Sequence, residues 1–204
     1  MTSVRILARL ERAEFAALLE GLPPEQWAAP SLCTGWTVRD VVIHTISYLG
    51  QSRTGLLVNM IRARGDVDRI NAAMLRAHGD LPPARLVEMM RRGAEPSGAG
   101  ALYGGRVALI ECMIHQQDIR RPLAHPRLIP EERLRVSLAY ARVSPVIGGA
   151  RRTRGVRLVA TDMDWSAGHG PEVRGPGEAL LLAMTGRTKY LNELDGAGVS
   201  LLDR

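Results

Sequence analysis

The sequence predicts a mainly α-helical fold with a small α/β part at its C-terminal end. Apolar residues recur every three or four positions through most of the first 147 residues, which is the spacing of amphipathic helices. After Gly148 and Gly149 the pattern changes to alternating apolar and β-branched residues, as in a strand. We therefore expect a helical bundle at residues 1–147 and a small α/β domain at 148–204.

The helices of the bundle follow from this periodicity and from helix-breaking residues. Pro23 and Pro24 interrupt the chain after the first helix, and Pro122 ends a later one. Thr37 suits an N-cap, and Asp40 three residues on resembles the acidic partner of a capping box. Helices are expected at about 4–20, from 38 past 49 and as far as 64, and at 67–77, 83–92, 107–119 and 131–143. Residues 93–105, rich in small residues, predict a flexible connection.

The C-terminal part should combine short strands with one helix. Residues 156–165 have strand character, and a turn rich in glycine follows them. Residues 176–187 predict a short apolar helix that starts at Pro176 and ends near Gly186. Residues 199–202 could form a closing strand.

Composition argues against several classes of function. The 46% hydrophobic fraction suits a buried core, and no apolar run reaches the roughly 18 residues that a membrane span needs. The first fifteen residues contain several charges and no signal-peptide core, so we expect a cytoplasmic protein without membrane association. The net charge of +6 comes from dispersed arginines, and aromatics are only 4%, so we expect no nucleic-acid binding.

The two cysteines are too few for a disulfide framework. Cys112 is expected to be a small core residue, because neighbours on a helix point about 100° apart and Cys112 therefore diverges from Glu111. Cys33 precedes the second helix and is expected to be structural.

One segment carries a pattern suited to metal binding. Glu111, His115 and Asp118 are spaced to share one face of an otherwise apolar helix, and burying such groups without partners is costly. A divalent cation shared by Glu111 and His115 would remove that cost, and His44 on a second helix could supply a third ligand. Two alternatives stay open: a surface pair of Glu111 with His115, and a hydrogen-bonded core histidine at His44.

Three stretches resemble a known family. The run SLCTGWTVRDVVIH at residues 31–44 is similar to the opening signature of the mycothiol-dependent maleylpyruvate isomerase family, within the DinB-like superfamily. Glu111-x-x-x-His115-x-x-Asp118, followed by IRRPL, resembles the second signature. Residues 160–165 and 175–187 resemble the C-terminal domain of the family.

The resemblance implies a DinB-like four-helix bundle that holds a divalent metal, usually zinc. By position His44, Glu111 and His115 match the family's ligands, and Arg187 is the candidate for the arginine of its C-terminal domain. The implied cosubstrate is mycothiol, a low-molecular-weight thiol, and the second partner is an electrophilic small molecule. Asp118 would then orient His115 or a nearby arginine, although a helix-end ion pair with Arg120 or Arg121 explains it equally.

The chemistry expected from this resemblance is attack by a thiolate. A metal favours the deprotonated form of a bound thiol, and the thiolate is the nucleophile. Addition to an activated double bond followed by rotation and elimination gives an isomerase, and addition alone gives a thiol S-transferase. Arg187 could hold a substrate carboxylate, or could be a solvated arginine after a helix end. A metal-dependent hydrolase and a non-enzymatic metal-binding or ligand-binding module are the alternatives, and the protein could be a monomer or a homodimer.

Overall fold

The structure, a computed structural model, describes residues 2–202. Its internal contacts divide the chain into two units, the first ending at Pro126 and the second beginning at Arg127. Within the described residues, no helix is long and apolar enough to cross a membrane. The helices of the first unit are α1 (Val4–Glu20), α2 (Val38–Gly50), α3 (Arg53–Arg62), α4 (Val67–His78), α5 (Pro83–Arg92) and α6 (Arg106–Arg120).

Four of these helices form a closed bundle. Helix α1 packs against α5 and α6, and α2 packs against the same two helices, so that the four surround one core. Phe15, Ile43, Met90 and Ile110, one from each helix, are fully buried in it. Helix α4 lies against α2. The mainly helical, DinB-like four-helix architecture expected from the sequence is confirmed.

Helix α2 begins where the sequence predicts. Thr37 Oγ1 accepts the backbone N–H of Asp40 at 3.2 Å, and Asp40 Oδ2 accepts that of Thr37 at 2.9 Å, which completes the capping box. The expected continuation of this helix to residue 64 is wrong. Gln51 adopts an extended backbone, and Ser52 caps the separate helix α3 by accepting from the N–H of Gly55.

The second unit contains a small three-stranded sheet and three α-helices in its described part. These are α7 (Glu131–Val143), α8 (Gly149–Arg152) and α9 (Gly177–Met184), with strands β1 (Arg157–Ala160), β2 (Ser166–Gly168) and β3 (Glu172–Gly175). Strand β1 is central, antiparallel to β2 and parallel to β3. The region predicted as one strand at 156–165 is therefore β1 followed by a turn.

The predicted closing strand at 199–202 is wrong, because the edge of β3 is already occupied. Arg174 pairs there with Asp195 through two backbone hydrogen bonds, and the N–H of Gly198 donates to the carbonyl of Glu172. Residues Val199–Leu201 form a short 3-10 helix instead.

Helix α7 belongs to the second unit. It packs against α8 and α9, and Leu134 and Leu138 are buried on it. The close approach is possible because Gly177 has no side chain, since a Cβ there would lie 2.9 Å from Leu134 Cδ2. The division thus falls before α7, whereas the sequence pattern suggested a boundary at 147–148.

Candidate metal centre

Helices α2 and α6 bring three potential ligands together. His44 projects from α2, while Glu111 and His115 lie one turn apart on α6. Glu111 Oε2 lies 3.9 Å from His44 Nε2 and 3.3 Å from His115 Nε2. One ligand atom from each residue lies within 4.8 Å of the others, which is close enough for one cation to contact all three.

A hydrogen bond at Nδ1 fixes the orientation of each imidazole. His44 Nδ1 lies 3.0 Å from Asn71 Oδ1, on α4, and His115 Nδ1 lies 2.9 Å from Asp118 Oδ2. Because both partners are oxygen acceptors, each Nδ1 carries the proton and donates it. Both Nε2 atoms are then directed to Glu111, and each can present a lone pair to a metal.

The carboxylate of Glu111 is held in its charged form. Burial would raise the pKa of this carboxyl, but hydrogen bonds from His115 and His44, together with their charge, bring the pKa well below its usual range. Its side chain is only 16% exposed. Glu111 is therefore ionised at neutral pH, which is the form that binds a cation.

His115 is held in its charged form when no metal is bound. Burial would lower the pKa of this imidazole, but hydrogen bonds with Asp118, Cys33 and Glu111 and the charge of Glu111 raise the pKa well above its ordinary value. A proton on Nε2 thus occupies the position that a cation would take. Two imidazole nitrogens and one carboxylate oxygen form a donor set suited to Zn²⁺ and to other divalent transition metals.

Asp118 links the site to the loop before α2. Its side chain is fully buried, and Oδ2 accepts from Cys33 Sγ at 3.2 Å as well as from His115. Its main-chain carbonyl accepts the N–H of Leu32 at 3.0 Å. A second group with metal-ligand geometry consists of Cys33, His115 and Asp118. Because Cys33 and His115 both donate hydrogen bonds to Asp118 Oδ2, we interpret this group as a hydrogen-bonded support for His115.

Aromatic side chains surround His44. Its ring stacks on Tyr48 with centroids 5.9 Å apart and lies 5.2 Å from the ring of Trp36. The edge of the His115 ring meets His44 at 4.9 Å. These neighbouring rings restrict the rotation of the His44 imidazole.

The structure thus brings His44, Glu111, His115 and Asp118 together. Asn71 was missed by sequence reasoning, because its helix shows no motif and its role depends on how α4 packs. Tyr48 was missed too, although its spacing of one helical turn from His44 was a usable signal. Arg187 follows α9 in the second unit, where its Nη1 donates to the carbonyl of Thr185 at 2.7 Å.

Comparison with known proteins bears on this arrangement. Residues 8–95, which include His44 and Asn71, match the family model described as the mycothiol maleylpyruvate isomerase N-terminal domain. The resemblance inferred from the motifs of the sequence is thereby confirmed. A comparison with curated proteins finds no match.

Two solved structures share the fold. One is a crystal structure of the mycothiol-dependent maleylpyruvate isomerase, with a TM-score of 0.60 and 16% sequence identity, covering 97% of this chain and 96% of that one. The other is a crystal structure of its histidine-to-alanine mutant, with the same TM-score, identity and coverage. At this identity the likeness concerns the fold.

Proposed function

We propose that this protein is a divalent-metal-dependent enzyme that uses mycothiol to attack an electrophilic small molecule, as an isomerase or a thiol S-transferase. The observation that carries the proposal is the orientation of the two imidazoles. Asn71 and Asp118 fix the tautomer of His44 and His115, so that both Nε2 atoms are directed to the ionised Glu111. The match of residues 8–95 to the mycothiol maleylpyruvate isomerase N-terminal domain supports mycothiol as the thiol.

The residues of the site have distinct proposed roles. His44, Glu111 and His115 hold the metal, for which zinc is our candidate, and three protein ligands leave room for an exogenous one. A bound divalent cation favours the deprotonated form of a thiol. Asp118 keeps Nδ1 of His115 protonated, and Asn71 does the same for His44. Trp36 and Tyr48 restrict the rotation of the His44 imidazole.

Arg187 is our candidate for binding a carboxylate of the electrophile. Its guanidinium has a planar arrangement of donors that matches a carboxylate. Replacement by methionine should raise KM for a carboxylate substrate more than it lowers kcat, because a ground-state contact is lost. We further propose that the enzyme acts in the cytoplasm, as a monomer or homodimer.

Metal content is the first test. Purified wild-type protein should contain close to one divalent ion per chain, and His44→Ala and His115→Ala should lose most of it. His169→Ala is the matched control, since His169 is exposed and outside the site, and it should retain the metal. Wild-type protein that remains metal-free after incubation with Zn²⁺ would refute the metal site.

Product analysis tests the reaction. The metal-loaded protein should convert maleylpyruvate or another activated alkene only when mycothiol is present. A rearranged product with unchanged mass indicates an isomerase, and a product that retains the thiol indicates an S-transferase. Turnover that is independent of any thiol and incorporates water would favour the hydrolase alternative over our proposal.

A further inference from the structure

A large cavity lies in the first unit, apart from the candidate metal centre. It has a volume of about 820 Å³, within the usual range of small-molecule sites. Residues of α2, α3, α4 and α5 line it, with Arg12 from α1, whereas His44, Glu111 and His115 do not. Its apolar wall is formed by Ile46, Ile70, Ala73, Met74 and Met89.

Arginine side chains supply the positive charge that lines this cavity. Four arginines line it, and no aspartate or glutamate does. Two of them have acidic partners, since Arg69 pairs with Asp66 and Arg92 with Glu88. Arg12 and Arg62 have no carboxylate partner among residues 2–202, and Arg62 is exposed. The cavity is therefore apolar in its wall and positively charged.

Arg12 is the unusual member of this group. It is only 4% exposed, yet its one hydrogen bond within the described residues runs from Nε to the carbonyl of Met90, at 3.0 Å. Its two terminal nitrogens have no protein partner there. Burial lowers the pKa of this guanidinium, and the nearby Cys112 offsets that effect only in part. A buried charge of this kind needs a counter-ion.

Gly93 makes space for the guanidinium. A Cβ at this position would lie 2.3 Å from Arg12 Nη2 and 2.7 Å from its central carbon. The backbone of Gly93 is in an ordinary conformation, with φ at −85°, so it does not itself require glycine. The lack of a side chain at Gly93 therefore leaves room for the guanidinium of Arg12 beside the cavity wall.

We infer that this cavity binds a small amphipathic anion, an aliphatic or aromatic carboxylate whose apolar body lies against Ile70, Met74 and Met89. Its carboxylate accepts hydrogen bonds from the terminal nitrogens of Arg12. This pairing satisfies donors that the protein leaves unpaired, and the apolar wall removes the carbon body from water. Arg62 at the exposed side of the cavity attracts the anion on approach.

Binding of dodecanoate, measured by calorimetry below its micelle concentration, tests the inference. Dodecyltrimethylammonium is the chain-matched probe of opposite charge and should not bind. Arg12→Met should weaken dodecanoate binding by about ten-fold or more, as expected for a lost hydrogen bond to a charged group. Arg9→Met, an exposed change on the same helix and outside the cavity, should leave the affinity unchanged.

Two further variants separate the remaining explanations. Gly93→Ala keeps the charge but displaces the guanidinium, so it should weaken binding too, and it decides the matter if Arg12→Met fails to fold. His115→Ala should bind dodecanoate normally, because the cavity does not include the metal centre. The inference is overturned if wild type does not bind dodecanoate, if folded Arg12→Met or Gly93→Ala binds it equally, if the cationic probe binds as well, or if His115→Ala abolishes binding.

Discussion

Replacement of Asp118 by asparagine tests how the fold prepares His115 for a metal. Asparagine has nearly the same shape, and its amide oxygen can still accept from His115 Nδ1. The change therefore removes the negative charge while keeping the hydrogen bond. The fully buried carboxylate of Asp118 is not screened by solvent, so its charge acts on His115 at full strength.

The size of the effect follows from the contact. A hydrogen bond to a charged group contributes about 1.5–3 kcal/mol, against about 1 kcal/mol between neutral groups. The difference, up to about 2 kcal/mol, corresponds to a loss of metal affinity of about ten-fold or somewhat more. This agrees with the roughly 10–100-fold losses typical when a carboxylate behind a ligating histidine is changed.

Competition with a fluorescent zinc chelator measures this affinity directly. Asp80→Asn is the matched control, because Asp80 is exposed in the turn after α4. Circular dichroism and thermal unfolding should show that both variants are folded. A folded Asp118→Asn with wild-type zinc affinity would refute the view that this carboxylate raises the basicity of His115.

Three other variants and a pH series probe the same region. In the presence of chelator, the raised pKa of His115 should stabilise the folded protein fully below the ordinary imidazole pKa, and this stabilisation should be lost as the pH rises through the raised pKa. The lowered pKa of Glu111 should stabilise the folded protein above the ordinary carboxyl pKa, and this stabilisation should be lost in acid. Urea unfolding should thus show greatest stability between those two ordinary values, and His115→Gln should remove the alkaline decline. Cys112→Ser should cost about 1–3 kcal/mol of unfolding free energy without loss of metal, because it buries a hydroxyl in a fully buried core position. Thr37→Ala should cost about 0.5–2 kcal/mol by removing the cap of α2.

Different results would contradict each expectation. Stability in chelator that does not vary between mildly acidic and alkaline pH would show that His115 has no raised pKa. Loss of metal in Cys112→Ser would give this thiol a role in the site. Wild-type stability of Thr37→Ala would mean that packing alone determines where α2 begins.

Local patterns predicted the helices and half of the site. Periodicity located α1, α4, α5 and α7 almost to the residue, because amphipathic spacing is a property of short segments. The spacing of Glu111 and His115 predicted that they share a helix face. Their meeting with His44 depends on how α2 packs against α6, so spacing alone left a surface pair of Glu111 with His115 open as an alternative.

The features that sequence reasoning missed depend on contacts between distant segments. Asn71 supports His44 only because α4 lies against α2. The pattern at 199–202 suited a strand, but Asp195 had already paired with Arg174. The amphipathic pattern of α7 predicted a helix without indicating which unit it would join.

Three hydrogen bonds to Asp118 couple the order of the loop before α2 to the order of the candidate ligand His115. The main-chain carbonyl of Asp118 accepts from the N–H of Leu32, and Oδ2 of its carboxylate accepts from both Cys33 and His115. Anything that pulls residues 31–36 away from α6 therefore disturbs the support of His115 without touching a ligand. Conversely, loading the centre should slow amide hydrogen exchange at Leu32, so that this loop would report on metal occupancy from outside the site.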